Sequence, residues 1–399
     1  MTTLTASLSL IGLIAIESLI YIGVPISVDT QYMLLPLFTL TLGCWAAVRV
    51  KEGTREKALT AGEAATLPIW AGVSLCGLYA AFTLLDASLV NQGARALFAL
   101  MGAAAVAGAL GPLLEAAPIP SALHAPLFTF VFPAIPTWVG GTGVATPSAP
   151  SLCDILGNIT GVCVAVWYWF AHGPTAWAAN NALGLAFCVA AIPPFNLGSV
   201  KVGTLVLCGL FFYDIFMVFG TGHALGTTKV SIMEEVATRL DAPIKIFFIA
   251  PAGAAARAGG GHSLLGLGDI VVPGFFLALL ARFDARQGLI HRKSSSDSTV
   301  TTAAATEPPA YYFNAGFIAY AAGLVATKVG MTLMDSAQPA LLYLVPALLG
   351  STAMLAIARG EIKAIWEFEE EEVIAAVSAQ TTVGGGAGGG GVIESKKNA

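Results

Sequence analysis

The amino-acid sequence predicts an all-α polytopic membrane protein, and three observations carry that prediction. Hydrophobic residues make up 56% of the 399 and charged residues only 11%, against about a quarter charged in soluble domains. The mean hydropathy is +0.78. Apolar windows long enough to cross a ~30 Å hydrocarbon core, which takes roughly 20 helical residues, recur from one end of the chain to the other.

Ten windows are expected to form membrane helices. The first, 6–22, begins within MTTLTASLSL, which lacks the positive start of a leader peptide, so it is read as an extra anchor rather than a cleaved signal. Windows 32–50, 67–85 and 94–114 come next. The stretch 127–139 is apolar but short and carries Pro133 and Pro136, so it is expected to be re-entrant or interfacial and is not counted. Windows 152–171, 179–197 and 202–220 follow. The loop 221–262 contains Pro243, Pro251 and AGGGH and is expected to be irregular, with one short amphipathic helix at VSIMEEVATRL. Window 263–282 leads to the Ser/Thr-rich stretch 294–309, read as a flexible linker. The last windows are 312–334 and 339–358. The end, TTVGGGAGGGGVIESKKNA, has too little apolar surface to bury and is expected to be disordered. Four regions result: an N-terminal segment 1–30, N-terminal helices 31–175, a transmembrane core 176–360 and a disordered tail 361–399.

Lysine and arginine set the orientation. Arg49, Lys51, Arg55 and Lys57 follow the second window, Arg282, Arg286, Arg292 and Lys293 the eighth, Arg359 and Lys363 the last. Strict alternation puts all three clusters on one side, the cytosolic one, and loop 221–262 on the lumenal side. The six cysteines all fall in apolar windows, where a thiol behaves as a small hydrophobe. Neither a disulfide framework nor a metal site is read from them. The net charge of −5 reflects the acidic run 367–372, and the absence of a basic patch with interleaved aromatics sets nucleic acid aside.

Two acids stand out against this background. Asp214 lies inside LFFYDIFMVFG and Asp269 inside SLLGLGDIVVPG. Their helices are antiparallel, and counting 1.5 Å per residue from opposite ends puts both in the lumenal third of the membrane. Two facing carboxylates in low dielectric share one proton. That is the state in which one can take a proton from water while the other gives one to a carbonyl. Gly266 and Gly268, either side of Leu267, leave room for another backbone to approach Asp269, and Tyr213 places a hydroxyl beside Asp214. On the residues alone, a proton or ion pathway and a structural pairing stay open beside a catalytic dyad. A non-catalytic scaffold for membrane clients is a further reading. His223 and His262, in the loop between the acids, are read as surface residues, and Asn158 lies within a window, where glycosylation of its sequon is not expected.

Three stretches then narrow the choice. FFYDIFMVFGTG, GLGDIVVPGFFLALLARFD and QPALLYLVPALLG, in this order and each in its own window, resemble the Y-D, G-x-G-D and P-A-L signatures of the signal peptide peptidases, intramembrane aspartyl proteases related to presenilin. NNALGLAF and DAPIKIFF extend the likeness, which covers about 180–360. The resemblance implies nine core helices with the first window as an addition, Asp214 and Asp269 as the catalytic pair, and Pro339, Ala340 and Leu341 as the wall beside them. It implies no metal and no cofactor. The substrates it implies are signal peptides and other membrane helices with a cytosolic N-terminus. The charge distribution favours signal peptide peptidase over presenilin, whose acids face the opposite way. Lys396 and Lys397 in KKNA resemble a dilysine retrieval signal of the endoplasmic reticulum. The expected partners are these peptides and the bilayer, with a homo-oligomer and the degradation machinery of the endoplasmic reticulum left open.

Overall fold

The computed structural model describes residues 2–49, 57–116, 130–132, 146–148, 150–173, 176–221, 232–250, 263–295, 310–334 and 338–370. Its elements are α1 (Thr3–Ile22), α2 (Val28–Arg49), α3 (Ala61–Leu84), α4 (Ala87–Ala116), β1 (Phe130–Phe132), β2 (Thr146–Ser148), α5 (Leu152–Phe170) and α6 (Ala176–Ala191). Then come α7 (Val200–Ile215), continued by a π-helical turn (Phe216–Gly220), α8 (Ile232–Arg239), β3 (Lys245–Phe248), β4 (Ser263–Gly266), α9 (Gly268–Ser295), α10 (Tyr311–Met334), α11 (Leu341–Arg359) and α12 (Ile362–Trp366).

Each of the ten apolar windows carries a helix, and among the described residues eight are long and apolar enough to cross a membrane. The other two have separate reasons for falling short. Helix α6 has only 16 residues, because Pro193 and Pro194 follow it and proline cannot continue a helix. Helix α9 runs for 28 residues but carries Arg282, Asp284 and Arg286 midway. Local signals fix several starts. Thr60 with Glu63, and Ser151 with Asp154, form reciprocal capping boxes at α3 and α5, and the Ser199 hydroxyl accepts from Val202 at α7. These satisfy backbone donors that a helix N-terminus leaves bare.

Helix α2 sits at the centre. It packs on α9, α1 and α6, with Tyr32, Leu35, Leu40 and Trp45 fully buried. Its approach to α9 depends on a missing side chain: a Cβ on Gly274 would stand 2.9 Å from Leu40 and 2.7 Å from Ile192. Small residues let membrane helices pack closely where lipid offers no hydrophobic drive.

Two expectations are corrected here, the start of window 263–282 and the extent of the tail. Window 263–282 does not begin as helix: Ser263–Gly266 is strand β4, paired antiparallel with β3, and α9 starts at Gly268, so Asp269 lies in its first turn. The loop 221–262 therefore holds a strand as well as the expected amphipathic helix, α8. The stretch 127–139 contributes β1, paired with β2; its other residues lie outside the described ones. Finally, the tail expected to be disordered over 361–399 starts ordered. After α12, Phe368 and Glu370 are buried, and residues 371–399, Lys396 and Lys397 among them, lie outside the described residues.

Those tail residues complete a polar cluster at the end of the bundle where the lysines and arginines gather. The Arg282 Nε donates to Glu370 in a buried ion pair, and the Glu370 N–H donates to Gly198 O at 2.9 Å. Two residues on, Asp284 accepts from the backbone N–H groups of Tyr312 (3.2 Å) and Phe313 (2.8 Å). It thus caps α10 from a neighbouring helix, which satisfies bare donors and sets a negative charge at the positive end of the helix dipole. Replacing Asp284 with Ala should cost about 2 kcal/mol of stability. Thermal unfolding in detergent should show a lower Tm for Asp284→Ala, with Asp284→Asn in between.

Candidate active site

Asp214 is the penultimate residue of α7, buried at 4% exposure. The π-helical turn follows at once. Such wide turns occur mostly as single insertions at functional sites, where they re-aim side chains. Asp214 Oδ2 accepts the backbone N–H of Leu341 at 3.2 Å, and Leu341 opens α11. The residue before it, Ala340, makes no side-chain capping bond, so the donors at this helix start need a partner from elsewhere. Asp214 supplies one. Pro339 fits just ahead of the helix, its carbonyl accepting from Leu342 at 3.2 Å.

Asp269 is brought to the same place by the hairpin. Its helix, α9, packs against α7, the helix of Asp214. The hydroxyl of Tyr320, on α10, donates to Asp269 O at 3.2 Å. Gly266 leaves little spare space: a Cβ there would stand 3.2 Å from Asp269 Oδ2. Tyr213 points towards α3, its ring edge 3.7 Å from where a Cβ on Gly72 would be. Leu267 leans on α6, its Cδ1 3.4 Å from the corresponding point on Gly184. Lys328, a cation that might have paired with the acids, reaches Asp29 at 3.3 Å instead.

The hairpin is held along its outer edge by carboxamides. Antiparallel strands point alternate backbone groups to opposite sides. Lys245, Phe247 and Ile249 face away from β4, and all three find side-chain partners. Asn180 Nδ2 donates to Lys245 O at 2.8 Å. Asn181 closes a two-way pair with Phe247, donating to its carbonyl at 2.9 Å and accepting from its N–H at 2.8 Å. Gln31, on α2, does the same for Ile249 at 2.8 and 2.9 Å. Leu267 N donates to Ile244 O at 3.0 Å, which carries the pairing up to the residue before α9. A strand edge within a bilayer must be paired or covered. Here β3 is covered by side chains, whereas β4 has its second edge open among the described residues.

Two acids on adjoining helices, one anchored to a helix start and one to a hairpin, form an arrangement that can activate water. The sequence profile of signal peptide peptidase matches residues 51–372. The chain belongs to the signal peptide peptidase family. It is 32% identical to the signal peptide peptidases of Homo sapiens and Mus musculus over 353 residues, 85% of this chain and 82% of each relative. It is 42% identical to intramembrane protease 2 of Caenorhabditis elegans over 197 residues, 49% of this chain and 38% of that one. No solved structure matches. As a signal peptide peptidase family member the protein is a multi-pass intramembrane aspartic protease, and the transporter alternative finds no support.

The sequence pointed to Asp214, Asp269 and Leu341, and the structure joins Asp214 to Leu341. It missed Tyr320 and Gln31. The asparagines 180 and 181 were visible only as part of a family likeness, although two adjacent carboxamides in an apolar window are themselves a sign of buried backbone needing partners. Adding a methyl at the tightest point tests the geometry. Gly266→Ala should lower kcat about tenfold or more through displacement of Asp269, with Tm nearly unchanged; kinetics on a leader peptide and thermal unfolding check both.

Proposed function

We propose that Asp214 and Asp269 are the catalytic pair and that the protein cleaves signal peptides, and other membrane helices with a cytosolic N-terminus, in the endoplasmic reticulum membrane. The observation that carries this reading is the joining of Asp214 to the start of α11, with Asp269 opening the adjoining helix straight after the hairpin.

In the reaction, the charged carboxylate of the pair takes a proton from water as the oxygen adds to the scissile carbonyl carbon. The neutral one gives its proton to the carbonyl oxygen. Collapse of the resulting diol breaks the C–N bond, with the proton passing to the departing nitrogen. The N–H of Leu341 holds Asp214 in position throughout. A helix must open before its peptide bonds can be reached, and an opened segment needs new partners for its backbone in lipid. The free edge of β4, at Leu264, offers such partners by strand addition.

Orientation rests on charge. Arg282, Arg359 and the tail meet at one end of the bundle, while the acids, the hairpin and the start of α11 lie towards the other. The lysine and arginine rule makes the first end cytosolic, which puts the C-terminus there and makes Lys396 and Lys397 readable as a retrieval signal. Asp214→Asn and Asp269→Asn should each reduce fragment release from a synthetic leader peptide by at least about a thousandfold while leaving the purified protein folded. Fragment release at the wild-type rate from either variant would overturn the assignment.

A further inference from the structure

Helices α1, α4, α5 and α6 enclose a cleft of about 650 Å³, bounded on the α6 side by Ala178, Ala182, Leu185 and Val189. Its walls are almost entirely aliphatic, with Leu10, Val106, Leu110 and Val189 among them. Its polar groups gather at one end: Glu17, Ser18 and Tyr21 on the last two turns of α1, with Trp167 near the end of α5. Glu17 is only half satisfied. Asn181 Nδ2 donates to its Oε1 at 3.1 Å, and the same nitrogen serves Phe247 O. The other oxygen, Oε2, is buried with no hydrogen-bond partner.

We propose that this cleft is a binding site for a neutral lipid alcohol, an amphiphile with one hydroxyl head and a bulky apolar body, whose hydroxyl meets Glu17 Oε2. The lining selects that chemistry by elimination. A hydrocarbon alone would leave a buried oxygen unpaired, which is costly. A phosphate-headed lipid or a fatty acid would bring a second negative group to Glu17, and among the described residues no lysine, arginine or histidine lines the cleft to balance it. A hydroxyl can donate to a carboxylate and can also accept from a carboxylic acid, so it suits Glu17 in either state. Polar groups confined to one end and a long aliphatic wall fit a molecule with its head near the membrane surface and its body along α4 and α6. Sterols and diacylglycerols share this chemistry. Through Asn181, which touches both Glu17 and β3, the site adjoins the hairpin, but binding itself does not depend on the proteolytic reading.

The test uses the full chain in phosphatidylcholine vesicles containing a photoactivatable diazirine sterol, with labelled peptides mapped by mass spectrometry. Labelling should concentrate on α1 and α6 and fall about tenfold in Glu17→Leu, the loss expected for one hydrogen bond to a charged acceptor. Unlabelled sterol competes if the occupant is a sterol, and diacylglycerol competes better if that is the source; either supports the site. Ala182→Trp fills the cleft from α6 without touching Glu17 and should abolish the same labels, so it decides the matter if Glu17→Leu does not fold. Labels spread evenly over lipid-facing helices, labels unchanged in both variants, or competition by phosphatidic acid as strong as by the alcohols would each overturn the proposal.

Discussion

The structure turns on the need to pair every backbone N–H and C=O where no water can reach. A protease that works inside a bilayer has to break this rule locally, because it needs extended chain and helix starts beside its acids. The protein meets the need with side chains. Asn180, Asn181 and Gln31 cover the outer edge of β3, and Asp214 covers the first donor of α11. The acid on α7 is therefore also a structural partner, and its position is fixed by the same bond that completes a neighbouring helix.

The opposite end of the bundle follows the same logic with charges. Asp284 caps α10, and Arg282 is paired with Glu370. Burying an ion pair is costly unless its geometry is good and other hydrogen bonds assist, so this pair contributes fixed register more than stability. It ties α9 to the tail and, through Gly198, to the residues just before α7. The two acid-bearing helices are thus linked at the end remote from the acids.

Hydropathy made the ten helices legible, because an apolar window of sufficient length has few other structures open to it in lipid. The acids were legible for the converse reason: a carboxylate among aliphatic neighbours has to be used. The hairpin was not. SLLG and KIFF are short apolar runs that periodicity cannot tell from the beginning of a helix, and SLLG runs directly into one. Gln31 was hidden by distance, since its partner Ile249 is 218 residues away. Glu370 was hidden by company. It sits in an acidic run that reads as solvated, and only the position of Arg282 on α9 singles it out for burial.

The three carboxamides along β3 share a property that no carboxylate or imidazole in their place would have. An amide neither gains nor loses a proton at any pH a cell maintains. The carboxamide bonds that hold β3 accordingly do not titrate, and acid sensitivity in turnover would originate in carboxylates: the dyad, or Glu17 where it accepts from Asn181.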